Sequence, residues 1–193
     1  VSKFMYVHVL NAEKLRHIAM IQAKQAFVDE LRRSTLDDMV ICPTGFFSDM
    51  EELLSMARSG RVYLFGDGSS RINPIHGADL AEFCVGAIDS QGQHFDVGGP
   101  EVFTYREIAE LAFDVLDQPE RITGVPKALV SAAVGAMRWL TPTKVFGAVE
   151  FMASVMTMDV IGEAHGQRRL ADHFRDCARS IGSKQSEDHP LPV

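Results

Sequence analysis

The loop Pro43-Thr44-Gly45-Phe46-Phe47 places two aromatic side chains directly after a glycine. Adjacent rings in an exposed loop suit an apolar wall for a flat ligand, although one of the two rings is expected to be core. His76 follows in an extended segment and has a side chain that titrates near neutral pH. A structural, hydrogen-bonded histidine is the commoner alternative to a proton shuttle. These residues predict a site for a small organic molecule.

Several other chemistries lack their motifs in the 193 residues. Neither Gly-x-Gly-x-x-Gly nor Gly-x-x-Gly-x-x-Gly occurs, and Gly66-Asp67-Gly68 has no third glycine, so it is predicted to be a turn. The absence of His-Glu-x-x-His and of close histidine pairs indicates no metal site. No Gly-x-Ser-x-Gly elbow supports a hydrolase.

Composition restricts the compartment and the partners. The net charge of -7 argues against a nucleic-acid partner, which requires a basic surface. No apolar stretch approaches the roughly 20 residues that span a bilayer, so no membrane partner is expected. Three widely spaced cysteines without a Cys-x-x-Cys motif favour a reducing cytoplasm and hence a cytoplasmic protein: Cys42, Cys84 and Cys177.

Strand-like and helix-like stretches alternate in the first hundred residues. The sequence predicts a buried strand over Phe4–Leu10, a helix over about 12–34, and a strand over Met39–Cys42. Further strands are predicted at Val62–Phe65 and Phe95–Val97. This alternation predicts an α/β fold with mostly parallel strands.

The second half is predicted to be mainly helical. Thr104 and Glu107 fit a capping box at the start of one helix, and further helix is expected after Pro126 and Pro142. Asp79 is predicted to cap an earlier helix that begins near Leu80. We therefore divide the chain into an α/β region (1–100), a helical lobe (101–180) and a disordered polar tail (181–193).

Three stretches in this order resemble the later half of the NmrA-like and extended short-chain dehydrogenase families. They are Lys24 within the long helix, the segment 40–47, and the segment 66–81, which contains Ile72-Asn73-Pro74-Ile75-His76-Gly77-Ala78-Asp79. The resemblance covers residues 1 to about 125. It implies a Rossmann-like, doubly wound parallel sheet, of which this chain supplies the carboxyl-terminal half, with an added helical lobe.

The resemblance also implies roles for individual residues. Lys24 matches the lysine that holds the nicotinamide ribose and assists catalysis, but Met20 occupies the position of the catalytic tyrosine, and a thioether transfers no proton. His8 stands at the position of the family's serine or threonine. A plain solvated helix lysine is the alternative for Lys24. The other implied contacts are with the cofactor for Pro43, Thr44, Gly45 and Phe46, and with the substrate for Phe47, Asn73 and His76.

The function implied is that of an NAD(P)-dependent reductase or epimerase acting on a small organic substrate. The alternative is a non-catalytic NAD(P)-sensing, assembly or regulatory module, so the catalytic status stays open. Without the glycine turn, this chain alone is expected to bind NAD(P) weakly or not at all. The opening on strand-like sequence suggests that an amino-terminal half is missing. Strands that are left with bare edges then predict a homo-oligomer, unless that half stays bound.

Overall fold

The computed structural model describes residues 2–90, 92–126, 128–130, 132, 135 and 143–187. Its strands are β1 (Lys3–Val7), β2 (Asp37–Pro43), β3 (Val62–Phe65), β4 (Arg71–Ile72), β5 (His94–Gly98), β6 (Phe103–Thr104), β7 (Ile122–Val125) and β8 (Glu163–Ala164). Strands β1, β2, β5 and β8 form a parallel sheet in the order β1-β2-β5-β8. Strands β3 and β7 form a parallel pair, and β4 and β6 an antiparallel pair.

The helices follow the strands along the chain. They are α1 (Ala19–Arg33), α2 (Phe47–Arg58), α3 (Gly77–Ala87), α4 (Tyr105–Val115), α5 (Thr143–Val155) and α6 (Leu170–Glu187), and a short 3-10 turn covers Ala12–Leu15. Among the described residues, no helix combines the length and the apolar character needed to cross a bilayer.

Helices cover both faces of the main sheet, as a doubly wound fold requires. Successive residues of a strand point to opposite faces, and nearly all of β2 is buried. Val40 and Cys42 pack with Val28 of α1 in one apolar cluster. Met39 and Ile41 pack in a second cluster, which contains Leu80 and Ala87 of α3. The predicted α/β fold with a parallel sheet is confirmed.

The first strand and the first helix are shorter than predicted. β1 ends at Val7 and is half-buried rather than fully buried, because among the described strands it pairs only with β2. The helix expected over 12–34 is interrupted, since a 3-10 turn ends at Leu15 and Ile18 has extended backbone (φ -90°, ψ 121°) before α1 begins. The main-chain ladder nevertheless continues past β1, as Leu10 N donates to Pro43 O at 3.2 Å.

Elements of the second half pack into the same core as the first. Helix α4 contributes Ile108, Ala112 and Phe113 to the apolar cluster that contains Val40 and Leu64. Helix α6 continues to Glu187 and thus passes residue 181, where a disordered tail was predicted. Residues 188–193 lie outside the described residues, and the division of the chain near residue 100 stays a prediction.

The predicted capping box at α4 is confirmed. Thr104 Oγ1 accepts from Glu107 N at 3.1 Å, and the Glu107 carboxylate accepts from Thr104 N at 2.7 Å. We expect Thr104→Ala to lower the free energy of unfolding by about 1 kcal/mol, because one amide loses its cap. Urea denaturation measures this change. Ser55→Ala, on the exposed face of α2, is the control, and an equal loss in both variants would contradict the capping role.

The same cap predicts a pH dependence. Hydrogen bonds from Thr104 N, and then from its hydroxyl, lower the pKa of Glu107 below its usual value. A carboxyl whose pKa is lowered by folding stabilises the protein above its unfolded pKa, and this stabilisation is lost as pH falls through the folded value. The stability advantage of the wild type over Glu107→Gln should therefore shrink in acid.

Candidate functional site

Lys24 lies at the carboxyl end of β1. Its Nζ donates to Val7 O at 3.3 Å and lies 5.2 Å from the centre of the Tyr6 ring. The ammonium group therefore sits at the edge of the parallel sheet where ligands of open α/β folds bind. The residue is half-buried, and a plain helix lysine stays the alternative interpretation. Its position agrees with the geometry that the resemblance implied, while its role stays a prediction.

Two of the positions where this chain departs from the pattern that the resemblance implies are Met20 and His8. Met20, one helical turn before Lys24, is 47% exposed. Because its side chain is a thioether, no acidic hydroxyl group occupies that position. His8 follows β1 and is 5% exposed, with Nε2 3.2 Å from Gln25 Oε1. Burial is the main cause that lowers the pKa of His8 below its usual value. The ring is therefore neutral near pH 7.

The loop after β2 is fixed by main-chain hydrogen bonds to neighbouring segments. Thr44 N donates to Val97 O at 3.0 Å, and its hydroxyl donates to Asn73 O at 2.6 Å. Gly45 O accepts from Ile75 N at 2.8 Å. Phe46 begins α2 as its cap residue and is half-buried. The structure thus joins Pro43–Phe46 to the extended segment around Asn73, while Lys24 of α1 reaches the end of the neighbouring strand β1.

Two of the predicted substrate contacts are covered by protein. The Phe47 ring is 2% exposed, with ring centres 5.6 Å from both His76 and His173, so it is the core residue of the aromatic pair. Asn73 is 1% exposed, and its amide is fully used: Nδ2 donates to Gly99 O and Gly162 O, while Oδ1 accepts from Gly162 N. Neither side chain is available to a substrate in this conformation.

His76, and not Asp79, caps helix α3. His76 Nδ1 accepts from Ala78 N at 3.1 Å, and the helix begins at Gly77. Burial lowers the pKa of His76, and the charge of Arg168 lowers it further. Asp79 therefore lies inside the first turn, so its predicted capping role was wrong. A helix start three residues earlier accounts for the difference, because the histidine ring supplies the cap.

The Asp79 carboxylate bonds Arg168 instead of the amides at the helix amino terminus. Asp79 is 3% exposed and pairs with the Arg168 guanidinium and, at 3.1 Å, with Arg168 N. Arg168 Nη2 also contacts Glu82 Oε1 at 3.0 Å. His173 of α6 likewise contacts His76, with ring centres 5.7 Å apart, and Glu51 at 2.9 Å. Such contacts between distant segments carry no local sequence signal.

Comparison with known proteins supports the same fold. No protein-family profile matches the sequence. Subunit 9 of the mitochondrial NADH dehydrogenase (ubiquinone) 1 alpha subcomplex of Arabidopsis thaliana is 23% identical over 141 residues, which is 68% of this chain and 35% of the relative. Photosystem II assembly factor Ycf39 of Guillardia theta is 24% identical over 149 residues, which is 73% of this chain and 47% of the relative. The chain thus spans less than half the length of each of these two relatives.

A solved structure aligns with most of the chain. An NADPH-dependent quinone oxidoreductase from Escherichia coli, solved with NADPH, aligns with a TM-score of 0.66 and 13% identity over 92% of this chain and 66% of its own. At this identity, the likeness concerns the fold. Together with the parallel sheet covered on both faces, it confirms the predicted Rossmann-type α/β fold.

Proposed function

We propose that the protein is an NAD(P)-dependent reductase or epimerase that acts on a small organic substrate, with Lys24 at the nicotinamide ribose. The observation that carries the proposal is the placement of the Lys24 ammonium group beside the carboxyl end of β1. An ammonium donor there suits ribose hydroxyl oxygens. One of its protons already points to Val7 O at 3.3 Å, which holds the side chain in this position.

The residues present fit the nicotinamide end of the cofactor. Lys24 would hold the ribose, and the half-buried Phe46, beside Pro43, Thr44 and Gly45, would border the flat ring. NAD(P), when bound, supplies the hydride. The pyrophosphate would need the glycine-rich turn that these 193 residues lack, so we expect this chain alone to bind NAD(P) weakly or not at all.

The substrate side of the proposal rests on fewer accessible groups. Since Phe47 and Asn73 are buried, His76 is the substrate contact of the three that is still partly accessible. Its low pKa makes the ring neutral near pH 7, suited to a hydrogen bond rather than to an ion pair with an acid. With Met20 in place of an acidic hydroxyl group, a proton needed by the reaction would come from water or from the substrate.

A non-catalytic NAD(P)-sensing or assembly module is the second candidate, and Met20 is the observation that favours it. Two of the curated relatives are, by name, a subunit of NADH dehydrogenase and an assembly factor for photosystem II. Such a protein would use Lys24 for binding and would need no proton donor beside it. We propose a cytoplasmic location and self-association for either candidate.

Turnover separates the two candidates. The protein joined to the amino-terminal half that the resemblance implies should oxidise NADPH in the presence of at least one compound from a panel of small aldehydes, ketones, enones and quinones. The absorbance of the reduced nicotinamide follows the reaction. We expect Lys24→Met to lower this rate at least ~10-fold, since a hydrogen bond from a charged group is lost, and Lys14→Met to leave it unchanged. Saturable NADPH binding without turnover on any compound would favour the sensing module.

A further inference from the structure

A second group of side chains lies on the face of the main sheet that α1 covers. β2 and β5 pair in parallel register, with Val40 opposite His94 and Cys42 opposite Asp96. Because side chains two residues apart share a face, His94 and Asp96 project to the same side as Cys42. The Cys42 thiol, a His94 ring nitrogen and an Asp96 carboxylate oxygen all lie within 4.8 Å of one another.

We propose that Cys42, His94 and Asp96 form a binding site for a divalent transition-metal ion, of which Zn²⁺ is the best match. A thiolate, an imidazole and a carboxylate are the three ligand types that zinc accepts in proteins. With metal–ligand bonds of about 2.0 to 2.3 Å, tetrahedral donors lie about 3.5 Å apart. Closing the present separations therefore takes little more than ~1 Å of side-chain rotation.

A second observation concerns the cavity beside these ligands. The three residues line a cavity of about 240 Å³, and His8 lines the same cavity. Although His8 is 5% exposed, its Nδ1 has no hydrogen-bond partner within the part of the chain that the structure describes. Buried polar atoms are paired in most folded proteins, so this nitrogen points to a water or ligand within the cavity.

The exposure of two of the three ligands favours a site that exchanges its metal with solvent and has one open coordination position. The Cys42 residue is 3% exposed, whereas the side chains of His94 and Asp96 are each 50% exposed. Metal can thus enter from solvent, and three protein ligands leave a fourth position for water, which His8 would face. Glu13 adds a negative charge at the cavity wall, while Arg16 and Arg32 add positive ones. Binding should accordingly be moderate rather than that of a closed structural zinc site.

The sequence motifs indicated no metal site, so this one was not predicted. Zinc motifs are recognised by ligands close together in the chain, whereas Cys42 and Asp96 meet only through strand pairing. A second group, formed by Glu51, His173 and Cys177, has comparable spacing and is the alternative metal site that the experiment must exclude. The histidine and the carboxylate lie 2.9 Å apart in both groups, so this contact does not separate them. Among the described residues, only the first group has a buried polar atom without a hydrogen-bond partner beside it, His8 Nδ1.

Cobalt provides a probe that reports the ligating sulfur. Co²⁺ added to the full-length protein, reduced with a phosphine, should produce a thiolate-to-cobalt charge-transfer band that Zn²⁺ then abolishes. The band should disappear in Cys42→Ser and persist in Cys177→Ser and Cys84→Ser. Absence of a thiolate band in the folded wild type, or its loss in Cys177→Ser but not in Cys42→Ser, would overturn the proposal.

Substitutions at the half-exposed ligands keep the test valid if the core variant fails to fold. Calorimetry with Zn²⁺ should give one site per chain in the wild type, and His94→Gln and Asp96→Asn should each weaken it at least ~10-fold, since even outer-shell substitutions cost that much. His165→Gln is the matched histidine control and should leave affinity unchanged. Unchanged zinc affinity in both folded ligand variants would refute the site.

Discussion

Asn73→Leu should lower the free energy of unfolding by roughly 3 kcal/mol or more. The leucine is similar in size but leaves Gly162 N, Gly162 O and Gly99 O without the partners that Asn73 supplies at 3.0 to 3.1 Å. Each buried polar group left unpaired costs about 1–3 kcal/mol. Against a typical total of about 5–15 kcal/mol, such a loss is a large fraction of the stability of a domain.

The effect should be this large because Asn73 joins three segments of the chain. Its carbonyl accepts from the Thr44 hydroxyl and from Gly99 N, while its side chain holds the segment before β8. Gly98 permits this arrangement, since a Cβ at that position would occupy the space of the asparagine amide. Urea denaturation gives the free energy, with Gln118→Leu, at an exposed position, as the control. A loss below ~0.5 kcal/mol in Asn73→Leu would contradict the assigned role, because that is the range of ordinary surface substitutions.

Local sequence patterns were sufficient to predict an element when the residues that determine its ends are close to it in the chain. Strand β3 has the predicted bounds, Val62 to Phe65, and lies between Gly60 and Gly66, which both adopt positive φ. The capping box at Thr104 was also predictable, because its two partners are three residues apart. In both cases the residues that determine the structure are neighbours in the chain.

Predictions failed where distant segments determine the local structure. Asp79 resembles a helix cap by type and position, yet it is held by Arg168, 89 residues later in the chain. Strand β7 was not predicted, and it exists through parallel pairing with β3. The aromatic pair at Phe46 and Phe47 was recognised, but the packing of His173 against Phe47 decides which ring is core.

The candidate site likewise has a part that local sequence predicted and a part that depends on distant segments. The position of Lys24 beside the end of β1 followed from its place in the helix after that strand, as the resemblance implied. The burial of Asn73 and the meeting of Cys42 with Asp96 depend on the register of β5 against its neighbours. Register is set by tertiary packing and turn geometry, which one sequence without pairing information does not define.

The central claim is that Lys24 holds NAD(P) at the carboxyl end of β1, and its removal should have the largest effect on binding. Lys24→Met keeps most of the aliphatic stem beside the Tyr6 ring but removes the ammonium donor. A hydrogen bond from a charged group is worth about 1.5–3 kcal/mol, which corresponds to about a 10- to 150-fold change in affinity. Lys14→Met makes the same chemical change on the exposed 3-10 turn and is the matched control.

The decisive measurement is calorimetric titration of NADPH into the protein joined to the amino-terminal half that the resemblance implies, and into these two variants of it, with circular dichroism to verify folding. We expect saturable binding by the wild type and by Lys14→Met, and at least ~10-fold weaker binding by Lys24→Met. No NADPH binding by the folded wild type, or equal affinities in all three proteins, would contradict the account.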